Sequence, residues 1–158
     1  PADLGRRAAQ RPGVERSGTG WTAARMKAND TLEVILVALR DSMRESAAQY
    51  LRPGEPIQAV IGAQTASQWL AGLTGIFVFL GLNHYRILAV TPNRIVVLDA
   101  GKSSMKTARG VVTELPRSTR LGPGSGVWHQ VPAGNEKLRV HRRFYKDMET
   151  ADRAVAPV

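Results

Sequence analysis

Three residues near the end of the chain have the types and spacing to grip an anion: Arg139, His141 and Arg143. On a strand, side chains two apart point to one face. The three would therefore present two guanidiniums and an imidazole side by side. That stripe suits phosphates, lipid head groups or an acidic partner about equally well. Arg117, Arg120 and Arg142 lie in the same basic stretch and complete the set expected to meet anionic groups. Between 101 and 146, ten Lys and Arg stand against only Glu114 and Glu136, and the 158-residue chain carries a formal charge of +9. Such a balance draws a protein to membrane surfaces, nucleic acid or acidic proteins.

Catalytic arrangements are harder to find. The chain has no Cys, which removes disulfides, thiolate nucleophiles and Cys-based zinc sites. Gly101-Lys102-Ser103 looks like the end of a phosphate-binding loop, but the required glycine five positions earlier is Val96. Gly122 to Gly126 is rich in glycine, yet Pro123 lacks the N–H that a phosphate cradle would use. His84, His129 and His141 do not fall at helical metal-ligand spacing, although a hairpin could bring His129 and His141 together. No Ser sits in a G-x-S-x-G nucleophile elbow. Asp99, Glu114 and Asp147 are the remaining acid/base candidates, and only the fold could pair them. The expectation is a protein that is not an enzyme and needs no cofactor or metal.

A second feature is a gap in the charge. From Pro56 to Tyr85 there is no Asp, Glu, Lys or Arg. Within it, Trp69 to Leu82 is an apolar run of 14 residues. As a helix it would reach about 21 Å at 1.5 Å per residue, whereas the hydrocarbon core needs roughly 20 apolar residues. Gly72, Gly75 and Gly81 lower its helix propensity further. Run length thus favours burial in the core over a membrane-dipping segment, and either over a true span. If the run is exposed, Trp69, Leu73, Ile76, Phe77, Phe79 and Leu80 are its contact residues for a membrane or an apolar partner.

The elements that would position these residues can be read along the chain. Residues 1–28 mix Arg, Gly and Pro and are expected to form a flexible basic tail, with Met26 an alternative start. A helix is expected over 29–52: Asp30 can cap it, with Glu33 at capping-box spacing. Leu32, Ile35, Leu36, Leu39, Met43, Ala47 and Tyr50 form its apolar face. Pro53-Gly54 stops it. Short strands then follow over 57–64, 84–90, 94–99, 110–115, 118–121, 127–131 and 136–141. Thr91-Pro92-Asn93 and Pro132 to Asn135 supply hairpin turns. A last helix over about 143–155 places Phe144, Met148, Ala151 and Val155 on one side. The class is α+β, mainly β: a seven-stranded antiparallel sandwich or barrel with a C-terminal capping helix, preceded by an amphipathic helix.

The stretch Tyr85-Arg-Ile-Leu-Ala-Val-Thr-Pro-Asn-Arg-Ile-Val-Val-Leu-Asp99 resembles the central hairpin of bacterial, actinobacterial-type pleckstrin-homology-like domains. Pro53 to Pro56 resembles their first-strand lead-in, and Val140 to Phe144 their closing strand running into a helix. The resemblance covers about residues 53–155. It implies a strongly bent seven-stranded sandwich capped by a helix, with a role in binding rather than catalysis. The chain departs from phosphoinositide-binding members, which carry basic residues around the loop after strand one. Here Gln64 to Asn83 is uncharged.

The sequence thus points to a non-catalytic binding module, an adaptor or accessory subunit. It would work in the cytoplasm or peripherally on the inner face of the plasma membrane. Its partner would be an anionic membrane surface or a larger protein complex. The alternative is a nucleic-acid or ribosome-associated basic protein, and a small enzyme with an unrecognised site is a distant third. Oligomeric state is not encoded legibly.

Overall fold

A computed structural model describes residues 19–66, 72, 75 and 81–155, with side chains from 24 onward. Contacts divide the chain after Ile35. Helix α1 runs from Thr19 to Ala48, so its first half belongs to the first unit and its second half, from Leu36, to the second. It begins well before the expected cap at Asp30. Residues 23–28 include three Ala, Arg25, Met26 and Lys27, all strong helix formers, and they carry the helix through Asp30. Thr31 Oγ1 donates back to the Lys27 carbonyl at 2.9 Å, as a hydroxyl does inside a helix. Of the expected apolar face, Met43 and Ala47 are buried and Leu36, Leu39 and Tyr50 half-buried, while Leu32 and Ile35 of the first unit are exposed.

The second unit is α+β and mainly β. Six strands form one curled antiparallel sheet: β1 (Ala59–Gln64), β2 (Tyr85–Val90), β3 (Arg94–Gly101), β4 (Gly110–Pro116), β5 (Trp128–Ala133) and β6 (Glu136–His141). Their order is β4-β3-β2-β1-β6-β5. The curl brings β4 towards the β5–β6 hairpin: a Cβ on Gly134 would lie 3.7 Å from the Thr113 hydroxyl. A 3-10 turn (Arg142–Phe144) leads into helix α2 (Tyr145–Arg153). Strands β1 to β3 read as continuous apolar runs because both their faces are buried. Met43 and Ala47 of α1 and Phe144, Met148 and Ala151 at α2 share their core.

Among the described residues the seventh strand, expected over 118–121, is absent. Its backbone is bound otherwise: Thr119 N–H reaches the Pro116 carbonyl at 2.9 Å, and the N–H groups of Leu121 and Gly122 donate to the Asp152 carboxylate at 3.0 and 2.9 Å. Strand β5 instead extends through Pro132, which faces Lys137. As an edge strand it leaves one row of N–H positions unpaired, so proline fits there. The turn is Gly134-Asn135, with Gly134 at φ +63, a first corner that glycine reaches without strain. The β2–β3 hairpin closes at Thr91 to Asn93, where Thr91 both donates to and accepts from Arg94.

Candidate functional site

Pairing register builds one row of side chains across three strands. Gln64 of β1 lies opposite Tyr85 of β2 and opposite Arg139 of β6. Opposed residues share a sheet face, and His141, two beyond Arg139, shares it too. Trp128 on β5 pairs with His141, and their rings meet edge to face at 4.8 Å. Arg143 follows in the 3-10 turn. Together with Ser103 to Met105 of the β3–β4 loop, these residues line a cleft of about 410 Å³. That is within the range of small-molecule sites. Among the described residues no Asp or Glu lines it.

The cleft is held from several directions. Gly62 forms part of its floor, where any side chain would run into Met105 Sδ and come within 2.9 Å of the Phe144 ring. Ser46 of α1 fastens the β3–β4 loop, donating to the Lys106 carbonyl at 3.1 Å and accepting from the Ala108 N–H at 3.0 Å. Arg143 lies 5.1 Å over the Phe144 ring, and its Nη2 is 3.5 Å from Met105 Sδ. These contacts aim the guanidinium without neutralising it.

His141 Nδ1 accepts the Arg143 backbone N–H at 3.3 Å, capping the turn. In the neutral ring the proton then sits on Nε2. Burial, and after it the positive charges of Arg143 and Arg142, hold the imidazole below its usual range. Near neutral pH it is an uncharged donor. Gln64 is only 6% exposed, and its Nε2 has no partner among the described residues. Ser104 Oγ accepts from the Lys106 N–H at 3.2 Å, which leaves its hydroxyl proton to donate. No carboxylate among the described residues lies within 4 Å of Arg139, Arg142 or Arg143. The cleft is thus rich in donors and positive charge, the complement of an anion.

The other sequence candidates are placed elsewhere. Arg117 donates to the Gln58 side chain at 3.0 Å and to the Ala151 carbonyl at 2.6 Å. Arg120 reaches the Asp152 carbonyl at 3.0 Å. Both therefore serve the C-terminal end of α2, where cations suit the free carbonyls. Arg142 is exposed and does not line the cleft. His129 pairs with Val140 and faces the Tyr145 ring, so it lies on the sheet face opposite to His141 and the two do not converge. Among the described residues no group of His, Asp and Glu is arranged to hold a metal.

The three acid/base candidates are each engaged by a different arginine. Asp99 pairs with Arg86, which also holds Glu136 through two bonds of 2.9 and 2.8 Å. Glu114 pairs with Arg94, which also grips Glu55. Asp147 takes Arg40 Nε and Nη2 at 3.0 and 2.9 Å. The Gly122–Gly126 loop wraps Tyr145, whose hydroxyl donates to the Ser125 and Gly126 carbonyls, and a Cβ at Gly124 would strike that ring. Lys102 Nζ donates to the Gly81 carbonyl at 2.8 Å.

Trp69, Leu73, Ile76, Phe77, Phe79 and Leu80 fall outside the described residues. The two ends of their segment are placed. Thr65 and His84 exchange bonds at 3.0 Å, and Asn83, buried, accepts the Ala66 N–H at 3.4 Å. The segment therefore leaves and rejoins the sheet next to Gln64 and Tyr85, both in the cleft wall. Leu82, at its end, is 57% exposed. Among the described residues no helix is long and apolar enough to cross a membrane.

No family model matches the chain, and neither the curated proteins nor the solved structures contain a match.

Proposed function

We propose that this chain is a non-catalytic binding module that docks on an anionic membrane surface. The basic end of β6 (Arg139, Arg142 and Arg143) meets the head groups, and the apolar 69–82 segment enters the interface. One observation carries the reading: the apolar segment is rooted at Gln64 and Tyr85, in the wall of the same cleft that Arg139 and Arg143 line. Apolar insertion next to a basic patch is the usual pairing for reversible membrane binding.

A pleckstrin-homology-like architecture is part of the proposal. Its support is the antiparallel order β4-β3-β2-β1-β6-β5, with a helix following the last strand. Engagement of Asp99, Glu114 and Asp147 by arginines supports a role without catalysis.

The test is vesicle flotation of the chain carrying Arg139→Gln, Arg142→Gln and Arg143→Gln together. At about 1 kcal/mol for each basic residue near an anionic surface, affinity for anionic vesicles should fall roughly a hundredfold. Undiminished flotation of this variant would remove the basic face from the reading. A chain that floats on no vesicle but is retained by an acidic protein complex would move the docking to that partner.

A further inference from the structure

The following step rests on reading this face as one that recognises anions, and it narrows what the cleft takes. We infer that the cleft over β1 and β6 is a binding site for a phosphate monoester, its dianionic head held by Arg139, Arg143 and the side-chain amide of Gln64. Gln64 is the observation that separates a built site from a generally basic surface. Burying an amide N–H without a partner is costly, and such groups call for an explanation, a bound water or ion among them. Here the amide sits in a cleft with two guanidiniums lacking carboxylate partners among the described residues. A bare basic surface would need no buried amide.

The donor set fits the proposed head. A phosphate monoester carries about −1.5 to −2 charge near neutral pH and three terminal acceptor oxygens. Two guanidiniums match the charge. Gln64 Nε2, the hydroxyls of Ser103 and Ser104, and His141 Nε2 supply neutral donors from three further directions. A carboxylate, with one charge in one plane, would leave part of this set unused. The volume of about 410 Å³ leaves room beside the head for the group that bears it, with the Trp128 ring as an apolar wall. A soluble phosphorylated metabolite and a lipid with a monoester head group share this chemistry.

Inorganic phosphate is the probe. It is titrated into the full chain at about pH 8, where most inorganic phosphate, like a phosphate monoester, is the dianion. Binding is followed by calorimetry and by the His141 ring resonances. Saturable one-site binding is expected, and a neighbouring dianion should shift the His141 titration upward. Gln64→Leu and Arg139→Gln should each weaken binding about tenfold or more, as for a lost bond to a charged group. Ser103→Ala, at an exposed loop position, should weaken it about threefold, while Arg153→Gln, exposed and outside the cleft lining, should leave it unchanged. Ser103→Ala keeps the test valid should a buried substitution disturb the fold.

Absence of saturable binding overturns the inference, as does binding that Gln64→Leu, Ser103→Ala and Arg153→Gln all leave alike. Vesicles containing phosphatidic acid, compared with phosphatidylglycerol vesicles of matched surface charge, separate the two sources. A preference for the monoester lipid identifies a head group; equal flotation together with phosphate binding identifies a soluble ligand. Flotation without phosphate binding overturns the cleft and spares the docking reading, and phosphate binding without flotation does the reverse.

Discussion

At Gln64 the chain buries an amide nitrogen that none of the described residues satisfies, and this has a consequence for stability as well as binding. An unsatisfied buried donor costs about 1–3 kcal/mol. Gln64→Leu should therefore raise the urea midpoint, by about 1 kcal/mol of stability, while losing the bound anion. A fall in the midpoint would show that the amide is satisfied in solution. Gly62 makes the opposite case. A methyl there meets Met105 and Phe144, and overpacking of this kind costs about 1–3 kcal/mol. Gly62→Ala should lower the urea midpoint accordingly.

Glu55 adds a pH dependence. Hydrogen bonds from Arg94, together with bonds from Thr91 and the Arg52 N–H, outweigh burial and hold its carboxyl at about 2 instead of 4.5. A carboxyl depressed in the folded state contributes stability that is fully present above the unfolded value. That contribution is lost as pH falls from about 4.5 towards 2. Glu55→Gln should therefore be less stable than the parent at neutral pH, with a flatter loss of stability across that acid window. Parallel acid-denaturation profiles for the two would contradict the assignment.

At the scale of elements, the site depends on how α1 pins the β3–β4 loop. Ser46 Oγ both donates to Lys106 and accepts from Ala108. Ser46→Ala leaves the Ala108 N–H without that acceptor, at a cost of about 1–3 kcal/mol. Hydrogen exchange at Ala108 should accelerate while exchange in β2 keeps its pattern. Equal protection at Ala108 would mean that the loop does not need this anchor.

Elements also decide what the sequence discloses. The shared face of Arg139 and His141 is legible because alternation along a strand is local, and the hairpin at Thr91 is legible for the same reason. Gln64, Tyr85, Trp128, Ser103 and Ser104 are not, because register between distant strands assembles them. A polar residue ending the apolar strand β1 is the one signal that marks Gln64. Arg117 and Arg120 look like further anion ligands by composition, yet they bind the carbonyls at the end of α2, an acceptor that no sequence pattern displays. The early start of α1 is a contest of local terms, in which a run of strong helix formers overrode a capping signal at Asp30.

For the whole molecule, charge is arranged rather than averaged. Carboxylates are spent on Arg40, Arg86 and Arg94, leaving the positive charge at the end of β6 unneutralised among the described residues. Charge attraction at a surface weakens as the Debye length shrinks from about 10 Å at 0.1 M salt to 3 Å at 1 M, whereas apolar insertion persists. The most direct measurement is flotation of the full chain on neutral and on anionic vesicles at low and high salt, repeated with Phe77→Ser and Phe79→Ser together. The account predicts stronger binding to anionic than to neutral vesicles, reduced but not abolished by salt, with the salt-resistant part lost in the double variant. Equal flotation on neutral vesicles, or none on anionic ones at low salt, would contradict it.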